Sequence, residues 1–401
     1  MRYMKKAVLV IFLSICTALC LCSCETAPKT SKKNYVTIGR ICPMTGEFAE
    51  YAEGTLETEK AAVEELNQSG GIFIDALEKK LMVRYLLRDS GSTERGAKEA
   101  ALQLVEEENV DVIIVSHSDS TVLPVAEICE EKQVPCFCVD ADETLWEAQG
   151  KHTYSFLVSA GTQEQMDAFL PIWQEKGITS LVILTDQDSS ENSFAGKTLN
   201  YCAENRITAK EVQLSDDYVK ALRDAKADAL LCVLDTDDYL NAKRMIHDAG
   251  LEMKSSMLVN EHLYYDALEK DPLSSAFDQT YTAEAWAPSF SFTSSLTKQD
   301  GKDLADWWNS EYITPCPESL GYKHGIVEVT VETLKRAMAV DADSIVKAAE
   351  ELNLDTVLGT VHFDQDHFAA VSCVASQWIY EPHSVDKSKW SQILVIEDTD
   401  N

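Results

Sequence analysis

From Tyr35 onward, short runs of apolar and β-branched residues alternate with amphipathic stripes, and this alternation leaves few architectures open. Strands separated by helices cannot be joined by tight hairpins, so they pair in parallel with helices packed on both faces of a sheet. Tyr35–Ile41 reads as a first strand, and Leu56, Ala62, Val63 and Leu66 as one face of a helix that Gly70-Gly71 stops. Leu81–Leu87 is a second strand. Ala97, Ala100, Ala101, Leu104 and Val105 then form an i, i+3, i+4, i+7, i+8 stripe behind the cap candidates Ser92 and Thr93. Strand Val110–Val115, the stripe Val122, Val125, Ala126 and Cys129, and strand Val134–Val139 complete one doubly wound lobe.

The cycle restarts after Tyr154, with strands near 181–184, 207–212, 229–234 and 256–259. Gly321–Ala339 follows as a helix with Val327, Val331, Leu334 and Met338 inward, then helix Asp343–Leu352 and strands Val361–Phe363 and Val371–Tyr380. These late segments are too few for a third lobe, so they complete the first two. The expected division is 35–154 with 284–360, and 155–283 with 361–401, the two lobes joined by a multi-stranded hinge around a cleft. A chain of 401 residues is also longer than one hydrophobic core ordinarily serves.

The N-terminus has its own logic. Arg2, Lys5 and Lys6 precede the apolar run Ala7–Leu21, the pattern of a secretory signal over residues 1–23. That run is shorter than the roughly 20 residues a membrane-crossing helix needs. Leu21-Cys22-Ser23-Cys24 resembles a bacterial lipobox, which implies cleavage after Ser23 and diacylglycerol on Cys24; ordinary cleavage leaving an unmodified cysteine is the alternative. Residues 24–34 then read as a flexible tether. The expected location is extracytoplasmic, anchored to the bacterial cell membrane.

A net charge of -32, more negative still once the basic leader is gone, has the wrong sign for phosphate and argues against a nucleic-acid partner. Eight cysteines lie beyond residue 24, several inside apolar runs such as Val134–Val139 and Leu230–Leu234, where thiols behave as small hydrophobes. A Cys129 to Cys136 bridge is also compatible with their separation. No CxxC pair follows the tether, and His362 with His367 lacks cysteines to complete a zinc site, so no metal is expected. No nucleophile elbow, P-loop or dinucleotide fingerprint occurs, so neither a cofactor nor an enzyme is expected. Ser116, His117 and Asp119 are too close along one loop to build a hydrolase triad.

Several segments, in order, resemble type I periplasmic solute-binding proteins of the branched-chain amino-acid class. They are Val36–Gly46, Tyr51 and Gly54, Ala61–Asn67, Gly70-Gly71-Ile72, Asp111–Ile114, Val134-Pro135, Gly321-Tyr322 and Gly359–Asp364. The resemblance implies two Rossmann-like lobes that close on a small ligand and deliver it to the permease of an ABC importer. Independently of it, ligands of open parallel sheets sit beyond the carboxyl ends of strands, where helix N-termini attract anions. The loop Ser116–Thr121 is such a place, though Ser118 or Ser120 could equally serve as a helix cap.

Carried over residue by residue, the resemblance puts Tyr51 in the first ligand loop and Ser116, His117 and Ser118 in the serine loop. Asp140, Ala141 and Asp142 take the segment after the fourth strand that usually reads Ser-Ala-Thr. Asp235 falls where a strand-end tyrosine is common, and Glu261 matches a glutamate that takes the ligand ammonium, with an exposed loop acid as the alternative. The departures are informative. Asp188-Ser189-Ser190-Glu191 lacks the usual aromatic wall, Lys323-His324 replaces Asp-Ala, and Asp140 and Asp142 replace neutral residues. An acidic pocket implies a ligand with a cationic end. The competing expectation is an envelope lipoprotein of the same fold, a sensor or protein-interaction module whose cleft has lost its ligand.

Overall fold

Strand β1 (Tyr35–Cys42) is buried at every position after the first, because it lies at the middle of a sheet covered on both faces. The computed structural model describes residues 33–49, 51–52, 54–74, 77–186, 190–215, 217–259, 268, 276–312, 316, 319–381 and 390–395. The expected leader, Cys24, the tether up to residue 32, Glu261, and Asp188 with Ser189 lie outside them.

After β1 come α1 (Thr55–Gln68), β2 (Ile72–Ile74), β3 (Lys79–Asp89), α2 (Glu94–Leu102), β4 (Val112–Val115), α3 (Asp119–Lys132), β5 (Cys136–Val139), α4 (Glu143–Ala148) and β6 (Ser155–Ser159). Thr93 caps α2 by accepting from the Gly96 amide, and the expected stripe residues Ala97, Ala100, Ala101 and Leu104 are buried. The second cycle runs α5 (Thr162–Glu175), β7 (Ser180–Thr185), α6 (Phe194–Glu204), β8 (Thr208–Gln213), α7 (Tyr218–Ala225), β9 (Ala229–Val233), α8 (Thr236–Asp248), β10 (Ser255–Leu258) and β11 (Thr280–Glu284). Then follow α9 (Gly301–Glu311), α10 (Leu320–Arg336), α11 (Ala342–Glu350), a hairpin of β12 (Leu354–Thr356) and β13 (Gly359–Val361), β14 (Phe368–Ala370), β15 (Val374–Tyr380) and β16 (Trp390–Val395).

The first sheet is ordered β14-β6-β5-β4-β1-β3-β2 and the second β16-β15-β11-β10-β9-β7-β8. Pairing is parallel except for β2, β15 and β16 at the margins. Helices α9, α10 and α11 return to the first lobe, where Leu304, Trp308, Ile326, Val327, Val331 and Ile345 join its core. The chain therefore passes between the sheets at Ala160-Gly161, at Ala285–Ala287 and at Val371–Cys373.

These passages correct two expected boundaries. Strand β6 pairs with β5, and β14 pairs with β6, so the first lobe runs on to Ser159 rather than ending at Tyr154, and it claims residues through Ala370 rather than stopping at 360. Ser155–Ser159 is buried throughout and would suit either sheet; only its partner decides. Met338, expected inward, is 66% exposed, because α10 ends at Arg336 and Ala337 is already extended. At the second passage the Trp286 ring leaves no room for a side chain on α10, since a Cβ on Gly321 would lie 2.0 Å from it.

Candidate functional site

Strands β4 and β5 end side by side, and the loops that leave them open into α3 and α4. Both loops therefore face the second lobe at the carboxyl edge of the first sheet, the place where parallel sheets bind ligands. His117, Ser118, Asp119, Asp140, Ala141 and Asp142 line a cleft there. Ser159 at the end of β6 adds to it, Ala160, Gln165, Leu258, Val259, Ala283 and Ala285 come from the passages and the second lobe, and Tyr322 of α10 forms part of the wall. The cavity is narrow, about 60 Å³.

The loop groups are organised by contacts with one another. His117 Nδ1 lies 2.8 Å from Asp140 Oδ2, and the imidazole stacks on Tyr51 with ring centroids 4.0 Å apart and Phe48 edge-on at 5.4 Å. The Lys323 ammonium sits 5.5 Å from the centre of the Tyr51 ring, a cation–π contact. The Asp142 amide donates to Asp119 Oδ1 at 2.8 Å, which ties the two loops together. Asp142 also caps α4, accepting from the Thr144 and Leu145 amides. Burial, followed by the neighbouring Asp142, pushes the Asp119 carboxyl up to about 7. Burial raises Asp142 as well, against the hydrogen bonds from Thr144 and Leu145.

Of the expected site residues, His117, Ser118, Asp140, Ala141 and Asp142 line the cleft. Ser118 Oγ pairs with Ser120 Oγ at 3.0 Å and does not cap α3. Tyr51 is 3% exposed and stands one layer behind His117. Ser116 is not among the lining residues: its Oγ accepts from Arg40 Nη2 at 2.7 Å, because a buried guanidinium needs every acceptor within reach. Arg40 also donates to both oxygens of Glu59, which accepts from the Tyr85 hydroxyl as well. Asp235 caps α8, accepting from the Asp238 amide at 2.8 Å, and is likewise absent from the described lining.

Sequence reasoning passed over Gln165 and Asp119 as lining residues. Gln165 carried a signal: it is the polar residue beside Met166, Phe169, Ile172 and Trp173 on the buried face of α5. Arg40 and Glu59 carried none, being 19 positions apart on different elements.

Among the described residues no group of three His, Cys, Asp or Glu side chains is set to hold a metal, and no helix is long and apolar enough to cross a membrane. The eight cysteines beyond the tether are unbridged, Cys129 and Cys136 included. Cys136 and Cys138 bring their sulfurs to 3.6 Å in the core of the first lobe.

Residues 35–379 match the family model described as periplasmic binding protein. No curated protein matches the sequence. Among solved structures, a leucine-binding protein LivK from Thermotoga maritima is similar over 89% of this chain and 98% of its own, with 18% identity and a TM-score of 0.69. The branched-chain amino acid binding protein LivJ from Streptococcus pneumoniae, solved with isoleucine, covers 89% and 99% with 15% identity and a TM-score of 0.65. A solute-binding protein of an ABC transporter from Rhodopseudomonas palustris, solved with 3,4-dihydroxybenzoic acid, covers 92% and 99% with 16% identity and a TM-score of 0.63.

Proposed function

The chain belongs to the periplasmic binding protein family, and on that premise we propose that it is an extracytoplasmic solute-binding lipoprotein for a small ammonium-bearing ligand. The ligand class is an amino acid or a related amine or amide. It enters between the lobes, favours their closed arrangement, and passes to the permease of an ABC importer. The lipid on Cys24 keeps the protein at the membrane.

One observation carries the ligand class: Asp119, Asp140 and Asp142 all line a cleft whose described lining holds no lysine or arginine. An ammonium group placed there meets carboxylates, whereas a ligand bringing only a carboxylate would add to their repulsion. Glu261, two positions past the lining residue Val259, is proposed to take the ammonium from the second lobe. Catalysis is no part of the proposal. The Ser116 hydroxyl answers to Arg40 and His117 to Asp140, which does not assemble a nucleophile with its base.

A thermal-shift screen of residues 25–401 against amino acids, amides, polyamines and aromatic acids tests this. An ammonium-bearing compound should raise the melting temperature with the logarithm of its concentration. The same-fold sensor or interaction module with a ligand-free cleft is the second reading, favoured by the mutual contacts of Tyr51, His117, Asp140, Asp119 and Asp142. A melting temperature unmoved by every class would select it.

A further inference from the structure

Beside the cleft, the lobes are joined by charges that belong to neither ligand loop. Lys197 of α6, in the second lobe, places Nζ 3.0 Å from Glu143 Oε1 and 3.0 Å from Glu147 Oε2, both on α4 of the first lobe. The contact is partly withdrawn from water, with Lys197 27% and Glu143 17% exposed. Glu143 has a second grip: its Oε2 accepts from the Thr162 amide at 2.9 Å and from the Thr162 hydroxyl at 3.2 Å. Thr162 opens α5 immediately after the first passage between the sheets. One short helix of the first lobe thus holds two helices of the second.

Elsewhere between the lobes the charges oppose: after burial, the Asp237 and Asp235 carboxylates at the start of α8 raise the pKa of Glu47 in the first lobe. In this arrangement an ion pair joins the lobes in one place and like charges oppose in the other.

We propose that Lys197, held between Glu143 and Glu147, is a latch that sets the closed-to-open ratio of the empty protein. Lys197 is a positioning residue, since it does not line the cleft. A ligand's apparent affinity scales with the population of the state that binds it, so the latch also sets how tightly any ligand is held. The inference rests on the two-lobe hinge and on no particular ligand, so it stands or falls separately from the screen above.

Small-angle X-ray scattering of ligand-free residues 25–401, which contain both sheets whole, reads the ratio directly. Lys197→Glu should expand the particle and lower the closed-to-open ratio roughly fivefold, while circular dichroism shows the secondary structure intact. Exchanging the charges in Lys197→Glu with Glu147→Lys, and neutralising the second acid with Glu143→Gln, should restore the compact profile. An unchanged radius of gyration in Lys197→Glu, or a charge exchange that stays expanded, would overturn the latch. If Lys197→Glu does not fold, Lys197→Gln and Glu147→Gln make the same test: each should expand the particle and the pair should expand it no further, whereas additive effects or none would reject the contact.

Discussion

Replacing Asp119 by asparagine should make the empty protein more stable at pH 8. The carboxyl is held at about 7 by burial and by Asp142, against an ordinary value of 3.8, so folding must pay to keep it ionised at alkaline pH. That difference corresponds to about 4 kcal/mol if nothing relaxes. Asp119 keeps partial access to water, which screens the charge and brings the cost to about 2 kcal/mol. The penalty is complete above pH 7 and fades as the pH falls through 7 towards 3.8, because the folded state takes up its proton first. Asparagine keeps an oxygen for the Asp142 amide, so the hydrogen bond that ties the two loops survives. Calorimetry at pH 8 should show a melting temperature about 2–3 °C above wild type, with most of the difference gone at about pH 4. A lower melting temperature at pH 8, or the same difference at both pH values, would refute the reasoning. The substitution should also weaken an ammonium ligand, so stability and affinity move in opposite directions.

Arg40→Met strands Glu59 without its buried partner and should cost about 3–5 kcal/mol by urea denaturation, with much of it recovered when Glu59→Met is added. Gly54→Ala would set a Cβ 1.8 Å from the Trp308 ring at a φ of 72° and should destabilise by about 3 kcal/mol or more, read as a lower denaturation midpoint. Glu261→Gln should weaken an amino-acid ligand about tenfold by titration calorimetry with the fold unchanged. Ser118→Ala should lose affinity without losing melting temperature, since its hydroxyl caps no helix.

Periodicity made most of the architecture legible. The stripe of α2 and the alternation of strands and helices follow from how a 3.6-residue turn or a two-faced strand must bury apolar groups. Sheet membership was not legible for Ser155–Ser159 or Phe368–Ala370, because a strand buried on both faces carries no label for its neighbour. The cleft was half legible. The His117 loop could be located because strand ends and helix starts are visible in a sequence, and the Asp140–Asp142 segment through its resemblance to the family's ligand loop. Asp142 and Asp235 show the limit, since an aspartate just before a helix serves its backbone amides whether or not a ligand is near. Long-range pairs such as Arg40 with Glu59, or Lys197 with Glu143, depend on chain crossings that no local pattern encodes.

The return of the chain has a consequence for biogenesis. The first sheet takes its outermost strand from residues 368–370 and the second takes two from 374–395, so the first waits on residue 370 and the second on residue 395. A nascent chain can collapse earlier, yet it cannot finish either half before those residues emerge. Such late completion leaves both sheets unfinished while the earlier residues are made, and makes loss of residues 368–395 a lesion of both lobes.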